Sequence, residues 1–175
     1  MNDPVLRGFL QHQFTKGMEL AGQSDVLELL PRGNGQGPPN RYLAKFYCNG
    51  LVCRRGGEVA EASEFHVGIW FHADYLRLVK PAEMLTWLYP LNVWHPNINP
   101  PFICVGNIDP GTELVDLLYQ CYEIITYENW ASHDGLNGDA SQWARNNQDR
   151  FRFPLDRQPL KRRSPKLRVN DTAKK

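Results

Sequence analysis

"EFHVGIWFH", Glu64 to His72, alternates without a break. Phe65, Val67, Ile69 and Phe71 fall on one side, and His66, Gly68, Trp70 and His72 on the other. A period of two over this length is a β-strand with one face buried. Upstream, "RYLAKFYCNGLVCRR" (Arg41–Arg55) reads as a strand, a hairpin turn at Asn49-Gly50 and a second short strand. "DVLELL" (Asp25–Leu30) reads as another short strand, followed by a Gly- and Pro-dense loop over "PRGNGQGPPN", Pro31–Asn40. Downstream, "MLTWLYPLNVW" (Met84–Trp94) is a fourth extended run.

Helices flank this block. Val5, Leu6, Phe9, Leu10, Phe14 and Met18 recur at helical spacing behind an Asp3-Pro4 start. After "WHPNINPPFICVG" (Trp94–Gly106), Leu114, Leu117, Leu118, Cys121, Ile124 and Ile125 form the apolar face of a second long helix. A last helix is predicted in "GDASQWARNNQDRF", with Ala140, Trp143 and Ala144 inward. The expected fold class is α+β: an N-terminal helix, a four-stranded antiparallel meander, a loop, then two or more C-terminal helices.

The 175 residues are 42% hydrophobic and 22% charged, the composition of one globular domain. Absence of an 18-residue apolar run argues against a membrane span or membrane partner. The first residues do not resemble a secretory signal, so a cytoplasmic location is expected. In that compartment Cys48, Cys53, Cys104 and Cys121 would be thiols. Residues 1–156 make up the expected domain with a net charge of −6, and residues 157–175 a basic tail with +7. The tail carries no apolar stripe and is expected to be disordered. Without a base-reading motif or interleaved aromatics it does not indicate nucleic acid as a partner.

Cys48 and Cys53 are spaced C-x₄-C with no second Cys or His pair at zinc-ligand spacing, so no metal site is expected. Cys48 reads as a buried strand residue and Cys121 as a helix-core thiol. Cys104 differs because it follows a loop, seven residues after Asn97 and nine after His95. A reactive thiol needs access and a donor near the developing oxyanion. A loop asparagine supplies such a donor, or locks the loop by bonding its backbone.

These stretches resemble the ubiquitin-conjugating enzyme family. His95-Pro96-Asn97 is similar to the family's His-Pro-Asn motif, and Ile103-Cys104-Val105 to the segment bearing its active cysteine. Residues 71–98 are similar to the strands leading into that motif, and residues 110–125 to the helix after the cysteine. Asp134–Asn147 is similar to the Asp-Pro-Leu-Asn segment and its helix. The matches keep the family's order from about Asp3 to Phe153. The resemblance implies the ubiquitin-conjugating (UBC-like) fold and a Cys104 thioester, received from an activating enzyme and passed to an amine of a target protein. Catalysis would rest on Cys104, Asn97 and Asp134, with His95 and Pro96 supporting the loop and no cofactor.

Asn97 would hold the oxyanion or order the loop, and Asp134 would orient the incoming amine, with His133 beside it and Asn137 shaping the turn. The exposed face of the first helix, with Arg7, Gln11 and Lys16, would meet the activating enzyme. The departures are Leu76 after Tyr75, Ala82 after Pro81, Gly135 after Asp134, and a short "VGNIDPG" lacking Trp-Ser. The last of these leaves a ligase partner open. The divergence points to a bacterial conjugation system with its own ubiquitin-like modifier, of the kind that can serve in antiphage defence. Two alternatives remain: a non-catalytic interaction module of the same fold, and a cysteine hydrolase using His95 as base.

Overall fold

A computed structural model describes residues 3–33, 35 and 37–162 of the chain. Helix α1 (Pro4–Gly22) starts where expected: the Asp3 carboxylate accepts from the Val5 and Leu6 backbone N–H groups, and Pro4 occupies the first turn. Its buried face differs from the predicted stripe. Leu6, Leu10, Gln13, Gly17 and Leu20 are buried, whereas Val5 is 69% exposed and Met18 faces solvent. Gln13 explains the shift. Its Oε1 accepts from the Leu114 N–H at 2.7 Å, capping the start of α3 (Leu114–Ile125), where Glu113 offers no side-chain cap. A polar residue is therefore drawn into the α1–α3 contact.

Strands β1 (Leu27–Arg32), β2 (Arg41–Phe46), β5 (Phe65–Trp70) and β6 (Leu85–Tyr89) form one antiparallel sheet in that order. The predicted inward set of β5 is buried, and it meets the apolar face of α3, on which all six predicted residues are buried. The architecture is α+β, with an N-terminal helix, a four-stranded antiparallel sheet and C-terminal helices.

The hairpin predicted at Asn49-Gly50 does not form. β2 pairs with β1 and β5, while β3 (Gly50–Cys53) pairs with β4 (Val59–Ala62) in a separate ribbon. Gly50 is needed for contact rather than for a turn: a Cβ there would lie 2.5 Å from Phe65 Cζ and 3.0 Å from the Ile125 carbonyl oxygen. Cys48 is buried as expected, but in the connection after β2 rather than in a strand.

A short helix, α2 (Pro81–Met84), leads into β6. The small hairpin β7 (Ile98–Asn99) and β8 (Phe102–Ile103) docks on that edge through a bond from the Trp87 N–H to the Pro101 carbonyl. Helix α4 (Gly138–Phe151) is capped by Asn137, whose Oδ1 accepts from the Ala140 N–H.

The chain stays on the domain past the boundary expected at Arg157. Leu160 is buried, and Arg162 donates to the carbonyls of Gly22 and Gln23, covering the open C-terminal end of α1. The rest of the predicted tail, residues 163–175, lies outside the described residues.

Candidate active site

The chain enters the site along β3. The Trp94 N–H donates to the Leu51 carbonyl, and the Cys53 N–H to that of Asn92. His95, Pro96 and Asn97 follow, all buried. The His95 Nδ1 accepts from the Asn97 backbone N–H at 3.0 Å, which leaves the ring proton on Nε2. Tyr127 packs on this imidazole with ring centroids 4.3 Å apart, and its hydroxyl donates to the Trp94 carbonyl.

Asn97 and Cys104 stand opposite each other at the open end of the β7–β8 hairpin. The Cys104 N–H donates to the Asn97 carbonyl at 2.8 Å. An antiparallel pair would return a bond from the Asn97 N–H, but His95 holds that group. The Asn97 side chain supplies the missing bond instead, its Nδ2 donating to the Cys104 carbonyl at 3.0 Å. Its Oδ1 accepts from the Ala131 N–H at 2.7 Å. One amide thus joins the cysteine's backbone to the loop over residues 131–137.

That loop is fixed at its other end too. The Asn137 N–H donates to the Pro96 carbonyl at 3.0 Å, Arg145 Nη1 donates to the Ser132 carbonyl, and the Ser132 hydroxyl meets His133 Nδ1 at 2.8 Å. A small cluster including Leu51, Tyr127, Ala144, Trp94, Trp143 and Phe153 seats the whole assembly. Asp134 lies in the loop, exposed, with no hydrogen bond or ion pair among the described residues. Cys104 is exposed just past β8. The structure thus ties the segments of Cys104, Asn97 and Asp134 to one another, with His95 and Pro96 beneath as backbone acceptors.

The other thiols are differently placed. Burial pushes the Cys121 thiol up to about 12 and raises that of Cys48, so neither readily forms a thiolate. Cys53 is partly exposed. Among the described residues no group of three or more His, Cys, Asp or Glu side chains is placed to hold a metal ion, and no helix is long and apolar enough to cross a membrane.

Burial lowers the His95 imidazole to about 3, and the Ile124 carbonyl opposes that shift without meeting the geometry of a bond to Nε2. With Nδ1 engaged and the ring buried, His95 serves the fold and is unsuited to act as a base for Cys104. The linkage has a definite sign. An unfolded histidine takes up a proton near 6.5, and the folded ring resists it down to about 3. Between those values the unfolded state binds the extra proton, so stability falls as pH falls, at up to about 1.4 kcal/mol per pH unit. Urea unfolding at about pH 7 and about pH 5 should show wild type losing about 2 kcal/mol more than His95→Asn. Equal losses would mean that the ring protonates in place.

Sequence reasoning missed Ala131, Tyr127, Arg145 and the use made of Gly135. Only Gly135 left a signal, as a departure from the family's proline. A Cβ at Gly135 would lie 2.6 Å from the Pro96 carbonyl oxygen and 2.5 Å from Ser141 Oγ. The backbone contact cannot yield without moving the loop. Gly135→Ala is expected to cost about 1–3 kcal/mol, or roughly 2–4 °C of melting temperature per kcal/mol. A thermal melt unchanged from wild type would overturn this.

No family model matches the chain, and no curated protein matches it.

Proposed function

We propose that this chain is a ubiquitin-conjugating-type enzyme with the UBC-like fold, acting through a Cys104 thioester. The observation that carries this reading is the double role of Asn97. It bonds the backbone of an exposed cysteine and the loop bearing an exposed carboxylate, Asp134. A cysteine hydrolase would need a base beside the thiol, and the neutral, buried His95 does not supply one. The α+β order of elements agrees with the resemblance of the His95–Cys104 stretch to that family.

In the first step, the Cys104 thiolate attacks the C-terminal thioester of a ubiquitin-like modifier carried by its activating enzyme. A carbon–sulfur bond to Cys104 forms, and the bond to the activating enzyme's cysteine breaks, releasing that thiolate. In the second, an amine of the target attacks the Cys104 thioester. A carbon–nitrogen bond forms, the Cys104 sulfur leaves, and the amine proton passes to solvent or a nearby base. Dividing the transfer in this way makes each step feasible, and the thioester preserves the activation without a cofactor on this chain.

A free lysine is protonated near neutral pH and cannot attack. Asp134 is the proposed group that receives and orients it. The proposed setting is the cytoplasm, in a bacterial conjugation system of the kind that serves antiphage defence; a ligase is left open.

The test is to incubate the protein with a candidate modifier, its activating enzyme and ATP, and to run a non-reducing gel. The expected result is an adduct that disappears on treatment with thiol. Genes for a ubiquitin-like protein and an activating enzyme beside this one would identify the partners to use. Failure to form any such adduct with those partners would sink the proposal.

A further inference from the structure

A second site lies away from the cysteine. Arg32 at the end of β1 stands directly opposite Arg41 at the start of β2, and Arg41 stands opposite Trp70 at the end of β5. These three residues, with Arg7 and Leu10 of α1 and Pro38, line a cavity of about 670 Å³. None of the described residues lining it belongs to the Cys104 site.

Like charges directly opposed across an antiparallel pair are destabilising. Among the described residues, no carboxylate lies within ion-pair distance of Arg7, Arg32 or Arg41 to offset this. No acidic side chain is among the described residues lining the cavity. The Arg41 guanidinium instead sits over the Trp70 ring, 4.6 Å from its centroid. Among the described residues the buried Trp70 Nε1 donor has no partner, which ordinarily costs stability. Reciprocal bonds between Asn40 and Phe71, 2.8 Å and 3.1 Å long, hold the adjoining rim.

We propose that this cavity binds a small phosphate ester of mononucleotide size. Three arginines are the donor set that phosphate oxygens accept from. Trp70 and Pro38 give the apolar surface that a base or sugar needs. The volume falls in the range of small-ligand pockets and is concave, unlike the broad surface that a protein partner would cover. An anion would relieve the Arg32–Arg41 repulsion.

The test is calorimetric titration of the full chain with AMP, adenosine, inorganic phosphate and a hexaglutamate peptide, read in parallel by tryptophan fluorescence with Trp70→Phe as reference. AMP is expected to bind, to change the Trp70 signal, and to raise the melting temperature. Adenosine and phosphate should each bind at least roughly tenfold more weakly, and so should AMP to the Arg32→Gln/Arg41→Gln double variant. That variant should melt no lower than wild type, since it removes a like-charge pair. The proposal is overturned if AMP does not bind at millimolar concentration or if the folded double variant binds it as wild type does. Phosphate alone, or the acidic peptide, binding as tightly as AMP would also overturn it.

Discussion

Cys104→Ala is expected to abolish the thiol-sensitive adduct completely, and Cys104→Ser to replace it with an ester that survives thiol treatment. The informative control is Cys53→Ala, because Cys53 is the other thiol with solvent access, and it should charge like wild type. Cys48 and Cys121 are 2% and 0% exposed and cannot reach a macromolecular thioester without unfolding. Removing the Cys104 sulfur takes away an exposed atom that no described group hydrogen-bonds, so the variant should melt with wild type. An adduct that persists in Cys104→Ala, in a protein still folded by circular dichroism, would show that the modifier is carried elsewhere.

Asn97→Ala is expected to leave charging largely intact and to slow discharge to lysine by roughly 10²–10³-fold. Charging needs only an accessible thiolate. Discharge needs the thioester carbonyl and the amine-receiving loop in register, and the Asn97 amide joins them. Truncation leaves the Ala131 N–H and the Cys104 carbonyl without their partner, costing about 1–3 kcal/mol of stability as well. Asn97→Asp separates the two bonds. Its carboxylate can still accept from Ala131 but cannot donate to Cys104. Discharge as slow as in Asn97→Ala would assign the effect to the Nδ2 donor, and near-normal discharge to the tether on Ala131. Equal loss of charging and discharge in Asn97→Ala would count against a role in the second step.

Some of this was legible in the chain because the signals are local. The clean alternation of Phe65 to Phe71 and the spacing of Leu114 to Ile125 each describe one face of one element, and both faces are buried as predicted. Asp3-Pro4 marks a helix start by chemistry that acts within three residues. Reading failed where a distant partner overrode a local rule. Val5 fits the apolar spacing of α1, yet Gln13 lies inward because α3 lacks a cap of its own. Asn49-Gly50 has the composition of a hairpin turn, yet Gly50 is there to let Phe65 close against it.

By itself, then, the sequence determined the class of fold, the three long helices and the Asp3 start of the first, the alternation of the central strand, and which cysteine follows a loop. Periodicity and capping are properties of a few neighbouring residues. The tertiary structure alone decided that His95 is a neutral acceptor sealed from solvent, that Asn97 divides its amide between Cys104 and Ala131, and that Arg32, Arg41 and Trp70 stand in a row. Each depends on groups 7 to 34 residues apart meeting at hydrogen-bond, ring-contact or strand-pair distance. That meeting is set by how the helices and sheet pack and by which backbone groups are already taken, and no local pattern encodes it.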